Sequence, residues 1–353
     1  MPLRYLSVYA LVAVGTASLF TTGLATFTLP LIVFGLIPLA ELFMPGTTEN
    51  LSQEQATERL GNHSYDAFLF LAVPVLFGML GVLLWRVNSG ALTGLSLLGG
   101  VATAGVLIGA VGLNVGHEFG HRAGRLHQRT SKLLYLPALY MHFFIEHNFG
   151  HHMRVATEDD PATSQRGDWL YARWVRSIVG GLRSAWAIES KRVTRAGHSP
   201  LSLHNEVLRF FLIEAAALAA VAIVLSPLAA VAWMGAALIG VLTLETVNYV
   251  EHYGLRRELN AKGLPERVQP HHSWNSNHSL GRVLLFNLTR HSDHHANPRR
   301  PYPVLRHFDN APQLPTGYPG MMLLSAFPPL FHAVMHRELD RIDAESEAGP
   351  LPA

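Results

Sequence analysis

Apolar residues come in long unbroken runs in this chain, neither alternating at period two nor confined to one helical stripe. Residues 6–20, 25–44, 67–85, 92–113, 207–225 and 228–247 form six such runs, most of them near the ~20 residues a helix needs to cross the hydrocarbon core. They predict six membrane helices. The first run follows Arg4 and also has the outline of a signal peptide. No clean small-residue cleavage site separates it from the second run, so the two are read as a helical hairpin. Residues 46–65 form a polar loop with Glu49, Glu54, Glu58 and Arg59, and residues 86–90 a short turn. Residues 133–144 are apolar but too short to span, which predicts a helix at the interface or tucked against the bundle. Residues 153–206 are polar and arginine-rich, with Trp169, Trp174 and Trp186 spaced as interfacial anchors. Beyond Glu251 the chain is mostly polar. One apolar patch, 321–335, is interrupted by Pro328 and Pro329 and is expected to touch the membrane surface, and the tail from Glu345 is expected to be disordered.

Along the fourth run Gly105, Gly109, Gly112, Gly116 and Gly120 recur at intervals of three and four. Such a stripe fits close packing of a neighbouring helix. It also leaves room for a slender ligand, so Gly105, Gly109, Gly112 and Gly116 are candidate channel positions.

Composition agrees with a membrane protein: 49% of residues are hydrophobic and 15% charged, with a formal net charge of +2. Near-neutrality gives no reason to expect nucleic acid. Of 27 Lys and Arg, 12 lie between Arg122 and Arg195 and 11 between Arg256 and Arg341. Six spans place both regions and both termini on one side, which the positive-inside rule makes cytoplasmic. The expected fold is therefore an all-α integral membrane protein of about six transmembrane helices under a cytoplasmic helical cap. Residues 1–113 supply four spans, 114–206 the first cap segment, 207–250 two more spans, and 251–353 the second cap segment. Cysteine is absent, which excludes disulfides, thiolate metal ligands and Fe–S clusters on these residues.

Histidine is the outlier, with 20 copies. His117 and His121 close the fourth run four residues apart, one above the other if the helix continues. Taken alone, His117-Glu-Phe-Gly-His121 also fits a zinc protease with Glu118 as general base. His147, His151 and His152 follow an apolar segment at i, i+4 and i+5, which on an α-helix puts His147 and His151 on one face and His152 beside it. His252 stands where the sixth run ends, and His291, His294 and His295 repeat the pattern at i, i+3 and i+4. Nine histidines exceed what one tetrahedral ion takes and suit two metal ions of four or five imidazoles each. Imidazole alone does not choose among Fe, Cu, Zn and Ni. Glu118, Glu146, Glu251 and Asp293, with Asn248, are candidates to orient the ligating rings. His271, His272 and His278 form a looser group without an assigned role.

Four stretches closely resemble the integral-membrane alkane 1-monooxygenases, within the wider histidine-rich membrane di-iron group that includes fatty-acid desaturases and hydroxylases. They are Asn114-Val-Gly-His-Glu-Phe-Gly-His-Arg122, Glu146-His-Asn-Phe-Gly-His-His-Met-Arg-Val-Ala-Thr157 with Asp159-Asp-Pro-Ala162, Asn248-Tyr-Val-Glu-His-Tyr-Gly-Leu255, and Leu288-Thr-Arg-His-Ser-Asp-His-His-Ala-Asn-Pro298. Arg122 replaces a usual lysine, and Glu158 a usual proline. The resemblance implies that the nine histidines hold two irons, and that the bacterial inner membrane is the setting. It implies a separate rubredoxin with its reductase as electron source, and oxygen from O₂ inserted into the terminal carbon of an n-alkane. Related enzymes on fatty-acyl or alkyl-aromatic substrates are the nearest alternative. A membrane zinc protease or a metal-binding transporter is the alternative of another class.

Overall fold

The computed structural model describes residues 2–44 and 46–348, with side chains as far as residue 344. Every regular element among them is helical, and β-structure is limited to three isolated bridges. In chain order these are α1 (Leu6–Ser18), α2 (Gly23–Glu41), α3 (Gln53–Gly61), α4 (Ser64–Asn88), α5 (Gly94–Gly120), α6 (Arg125–Tyr135) and α7 (residues 143–154). They are followed by α8 (Leu170–Arg195), α9 (Glu206–Val224), α10 (Pro227–Glu251), α11 (Ser279–Leu284), α12 (His291–Ala296), α13 (Tyr318–Ser325) and α14 (Pro328–Ala348).

Among the described residues five helices, α2, α4, α5, α9 and α10, are long and apolar enough to cross a membrane. Of the six predicted spans, the first is shorter: α1 is 13 residues, preceded by one 3-10 turn, Pro2–Tyr5. α9 and α10 turn Leu212, Ile213, Ile223, Val231, Met234 and Leu238 outward. In water such faces would be costly, and in lipid they are the contact surface. This is an integral membrane protein.

α5 is the central helix, with 61% of its apolar window buried against 17% for α2 and α9. Its glycines explain the position. Gly105 packs on Ile239 and the Ala236 carbonyl, and Gly109 on Thr243 and the Gly240 carbonyl. A Cβ on Gly105 would stand 2.5 Å from Ile239. Both contacts advance one turn together, so α5 and α10 run parallel and end at the same side of the bundle. That parallel course brings His117 and His252 to one end.

The two polar regions interlock over that end as one cap. The Gly254 amide donates to the Ser164 carbonyl (2.8 Å), the Arg257 amide to that of Ala156 (2.9 Å), and the Tyr249 hydroxyl to that of Asp168 (2.7 Å). A buried cluster of Tyr249, Tyr253, Trp274, Phe331 and Met335 sits beneath α14. Phe327 and Leu330 remain exposed beside it, in the patch expected at the membrane surface. α14 carries helix through Ala348, past the expected end at Glu345; the last five residues lie outside the described part.

Candidate metal centre

α5 passes through a π-turn, Ile108–Leu113, and ends at Gly120 with His121 as its cap. His117 and His121 thus stand one turn apart over the bundle end. The second group departs from the α-helical expectation. Residues His147–His151 form a π-turn, whose i→i+5 register aligns His147 with His152 instead of His151. His147 and His152 join His117, His121 and His294, all five offering ligand atoms within 4.8 Å of one another. His151 turns to His252 and His295, while His252 also meets His291 and Glu251. On α12, His291 and His295 are one turn apart and serve the second set, whereas His294 serves the first. All nine predicted histidines are therefore brought together, five and four, along with Glu251.

The spacing of the ring nitrogens fits a shared ion. Nε2 of His117 lies 2.8 Å from Nε2 of His294, and Nε2 of His147 lies 3.1 Å from that of His121 and 2.9 Å from that of His152. In the second set the Nε2 atoms of His252 and His291 are 3.2 Å apart. Imidazoles bound at about 2.0–2.1 Å to one ion place neighbouring nitrogens about 2.9–3.4 Å apart. Hydrogen bonds do not satisfy the group. Nε2 of His151 and Nε2 of His295 are buried without a partner, and each orphan polar atom is costly. Burial, then neighbouring imidazoles, pull His121, His147, His152, His291, His294 and His295 well below the ordinary histidine value. Neutral rings are the form that donates to a metal.

His151 is the exception. Burial opposes its charged form, but the Asp160 carboxylate, 2.9 Å from Nδ1, outweighs burial and raises it. Asp160 is fully buried and also accepts from the Thr163 hydroxyl at 2.6 Å and the Ala162 amide at 3.2 Å. Nδ1 of His151 is thereby occupied and Nε2 left without a partner, the arrangement in which a carboxylate orients a ligating ring. Sequence reasoning did not single out Asp160 for this role. The signal was the acidic pair Asp159-Asp160 after the second histidine group.

Of the predicted orienting residues, four have partners other than a histidine ring. Glu118 accepts from Arg122 at 2.7 and 3.0 Å and from the Tyr302 amide at 3.2 Å. Glu146 accepts from Arg154 at 2.9 Å, and Asn248 donates to Glu245 at 3.2 Å. Asp293 takes the Arg306 amide and Asn297, both at 2.8 Å. None of these four touches a ring, because each has an arginine, amide or carboxylate nearer to hand. Glu251 alone does, 3.2 Å from Nε2 of His291, and it stands among the potential ligand atoms themselves. Glu266, His271 and His272 also cluster. There Nδ1 of His272 accepts from the Gln269 amide (2.9 Å), so Nε2 carries the proton it donates to Glu266 (3.1 Å). With both nitrogens used, no lone pair remains for an ion.

A cavity of about 110 Å³ runs from the spans to the histidines. Val33, Phe34, Val106 and Leu107 line its apolar part, and His117, His147 and His291 its polar end. Val106 precedes His117 by three turns, roughly 16 Å along the axis. Of the four candidate channel glycines only Gly109 lines it. Gly105, Gly112 and Gly116 pack instead on Ile239, Leu76 and Tyr135, so the stripe is mainly a helix-packing surface.

Residues 92–325 match the family model described as fatty acid desaturase. The chain is 38% identical over 302 residues to alkane 1-monooxygenase 1 of Alcanivorax borkumensis, covering 86% of this chain and 74% of that one. It is 39% identical over 303 residues to an alkane 1-monooxygenase of Pseudomonas putida, covering 86% and 75%. A more distant relative is the hydroxylase component of a Pseudomonas putida xylene/toluene monooxygenase, 28% identical over 283 residues, covering 76% and 72%.

Proposed function

Because this chain belongs to the alkane 1-monooxygenases, within the fatty acid desaturase family, we propose that it hydroxylates the terminal carbon of n-alkanes at a two-iron site. One O₂, two electrons and two protons convert the terminal methyl group and yield the 1-alkanol and one water. The observation that carries this reading is the apolar cavity ending at His117, His147 and His291. An alkane has no polar handle, so shape and apolar contact must deliver its end to the chemistry.

The iron-holding residues are His117, His121, His147, His152 and His294 in one set, and His151, His252, His291 and His295 in the other, with Glu251 beside them. Bound iron supplies the reductive activation of O₂. The protein binds and aims the substrate: Val33, Phe34, Val106 and Leu107 hold the chain, and the narrow apolar walls keep water from its path. Asp160 fixes the His151 ring and neutralises part of the charge a metal brings. Electrons come from a rubredoxin, served by its reductase, as in the family this chain resembles; these residues offer no thiolate to hold that carrier's iron. The lopsided distribution of Lys and Arg supports an inner membrane with the histidine end in the cytoplasm, where an acidic carrier is steered toward it.

A zinc-protease role for Glu118 has no support in its surroundings, since Arg122 and the Tyr302 amide already hold that carboxylate. The xylene/toluene relative favours a second reading, an alkyl-aromatic substrate. Product analysis separates the two. Purified iron-loaded protein is supplied with rubredoxin, its reductase and NADH, a series of n-alkanes and xylene, under ¹⁸O₂. Labelled 1-alkanols are expected. Labelled benzylic alcohol with no alkanol would replace the substrate assignment, and unlabelled or absent product would refute the monooxygenase reading.

A further inference from the structure

Beyond the histidine site, a second polar cavity of about 270 Å³ opens between the start of α1, the segment leading into α3, and α11. Four arginines line it: Arg4, Arg59, Arg282 and Arg290. Arg290 is 1% exposed and Arg282 9%. Their hydrogen bonds all end on neutral acceptors. Arg290 donates to the carbonyls of Glu49 (2.8 Å), Leu305 (2.9 Å) and Thr47 (3.3 Å) and to the Asn50 side chain (3.2 Å). Arg282 donates to the Thr47 carbonyl (3.0 Å) and Asn287 (3.3 Å), Arg59 to the Pro303 carbonyl (3.1 Å), and Arg4 to the Tyr5 hydroxyl (2.8 Å). Among the described residues none of the four pairs with a carboxylate. Other arginines of the cap do: Arg122 has Glu118, and Arg300 and Arg306 share Asp293. The cavity's single acidic residue, Glu49, offers its backbone carbonyl and has an exposed side chain.

The bland role of these guanidiniums is to staple residues 47–50 to the cap. Carbonyl dipoles satisfy N–H groups but carry no net charge, and the one carboxylate that reaches Arg290 through space, Asp293, is already held by Arg300 and Arg306. Burial and the charges of Arg4 and Arg59 press the Arg282 group down to about 10. An arginine does not escape by losing its proton, and buried unpaired charge is expensive. An anion is the partner that would compensate such charge. The cavity has room for several waters at about 30 Å³ each, and hence for a tetrahedral oxyanion. Arg4 precedes α1 and Arg59 lies just ahead of α4, so the opening stands at the level where membrane helices begin.

We propose that this arginine cavity binds a phosphate-type oxyanion, either the headgroup of an anionic phospholipid or free phosphate. Guanidinium forks suit phosphate oxygens, and basic pockets at helix ends are where anionic headgroups seat. Bound there, the anion would brace the segment before α3 against Arg290, the residue next to His291. The proposal does not depend on the reaction assigned above.

The test is calorimetric titration of the full-length, iron-loaded protein in detergent with inorganic phosphate, short-chain phosphatidylglycerol and short-chain phosphatidylcholine. Wild type is compared with the R4Q/R59Q double variant, which leaves the two buried arginines in place. Phosphatidylglycerol or phosphate is expected to bind tighter than about 1 mM. The double variant should weaken it roughly thirtyfold, with iron content unchanged as the check on folding. Binding of phosphatidylglycerol without phosphate assigns the headgroup; binding of both assigns the phosphate moiety itself. No binding of either, equal binding of phosphatidylcholine, or equal affinity in R4Q/R59Q with iron retained would each overturn it.

Discussion

The two histidine sets are built differently. The five-imidazole set draws four rings from two continuous helical stretches, the end of α5 and α7, and adds only His294 from elsewhere. The other set takes one ring from α7, one from the end of α10 and two, His291 and His295, from α12, and has carboxylates against it: Asp160 on His151 and Glu251 beside His291. One set is all neutral and locally assembled. The other is partly anionic and depends on the cap closing over α10. Two ions held there would differ in how well each tolerates extra positive charge, because nearby carboxylates stabilise the more highly charged state. The difference teaches that a nine-histidine pattern is not two copies of one site.

The largest effect should come from His147→Ala, whose ring stands between His121 and His152. Metal in the five-imidazole set is expected to be lost and activity to fall by more than the ~10–100-fold typical of outer partners. Metal analysis and turnover check it, and full metal with full activity would remove His147 from the ligands. Asp160→Asn addresses the other set. It keeps an acceptor for the His151 ring but removes the charge. Activity or metal affinity is expected to drop about 10–100-fold, with one of two metals preferentially lost. Equal loss from both sets would mean that they fold as one unit.

Val106→Phe tests the apolar end of the cavity and leaves both sets intact. Product distribution should shift toward shorter alkanes with metal content unchanged. An unaltered distribution would place the substrate elsewhere. Glu118→Gln should matter least to chemistry. Its carboxylate pairs with Arg122, so about 1–3 kcal/mol of stability is expected to go while turnover stays within about twofold. Abolished turnover in a folded, metal-loaded variant would restore Glu118 as a catalytic group.

Much of this was legible in the chain. Apolar runs near the length of a membrane span mark helices because the bilayer leaves the backbone no other partner than itself. Three of the nine histidines, His117, His121 and His252, stand just past the ends of such runs, and the residue type and number of the nine point to a metal site. Local spacing also placed His117 with His121 and His291 with His295, since an α-helix repeats at four.

Tertiary structure decided the rest. The pairing of His147 with His152 depends on a π-turn, which inserts one residue into the helical repeat and is not written in the spacing itself. The arrival of His252 at the end that carries His117 depends on the parallel course of α5 and α10, fixed by Gly105 and Gly109 meeting Ile239 and Thr243. Asp160, not the four nearer-looking polar residues, orients a ring because Glu118, Glu146 and Asp293 had closer arginines once the cap folded. Residue type announces chemistry from the sequence alone. Which groups meet is settled by long-range packing, because a carboxylate takes the strongest partner the fold brings within reach.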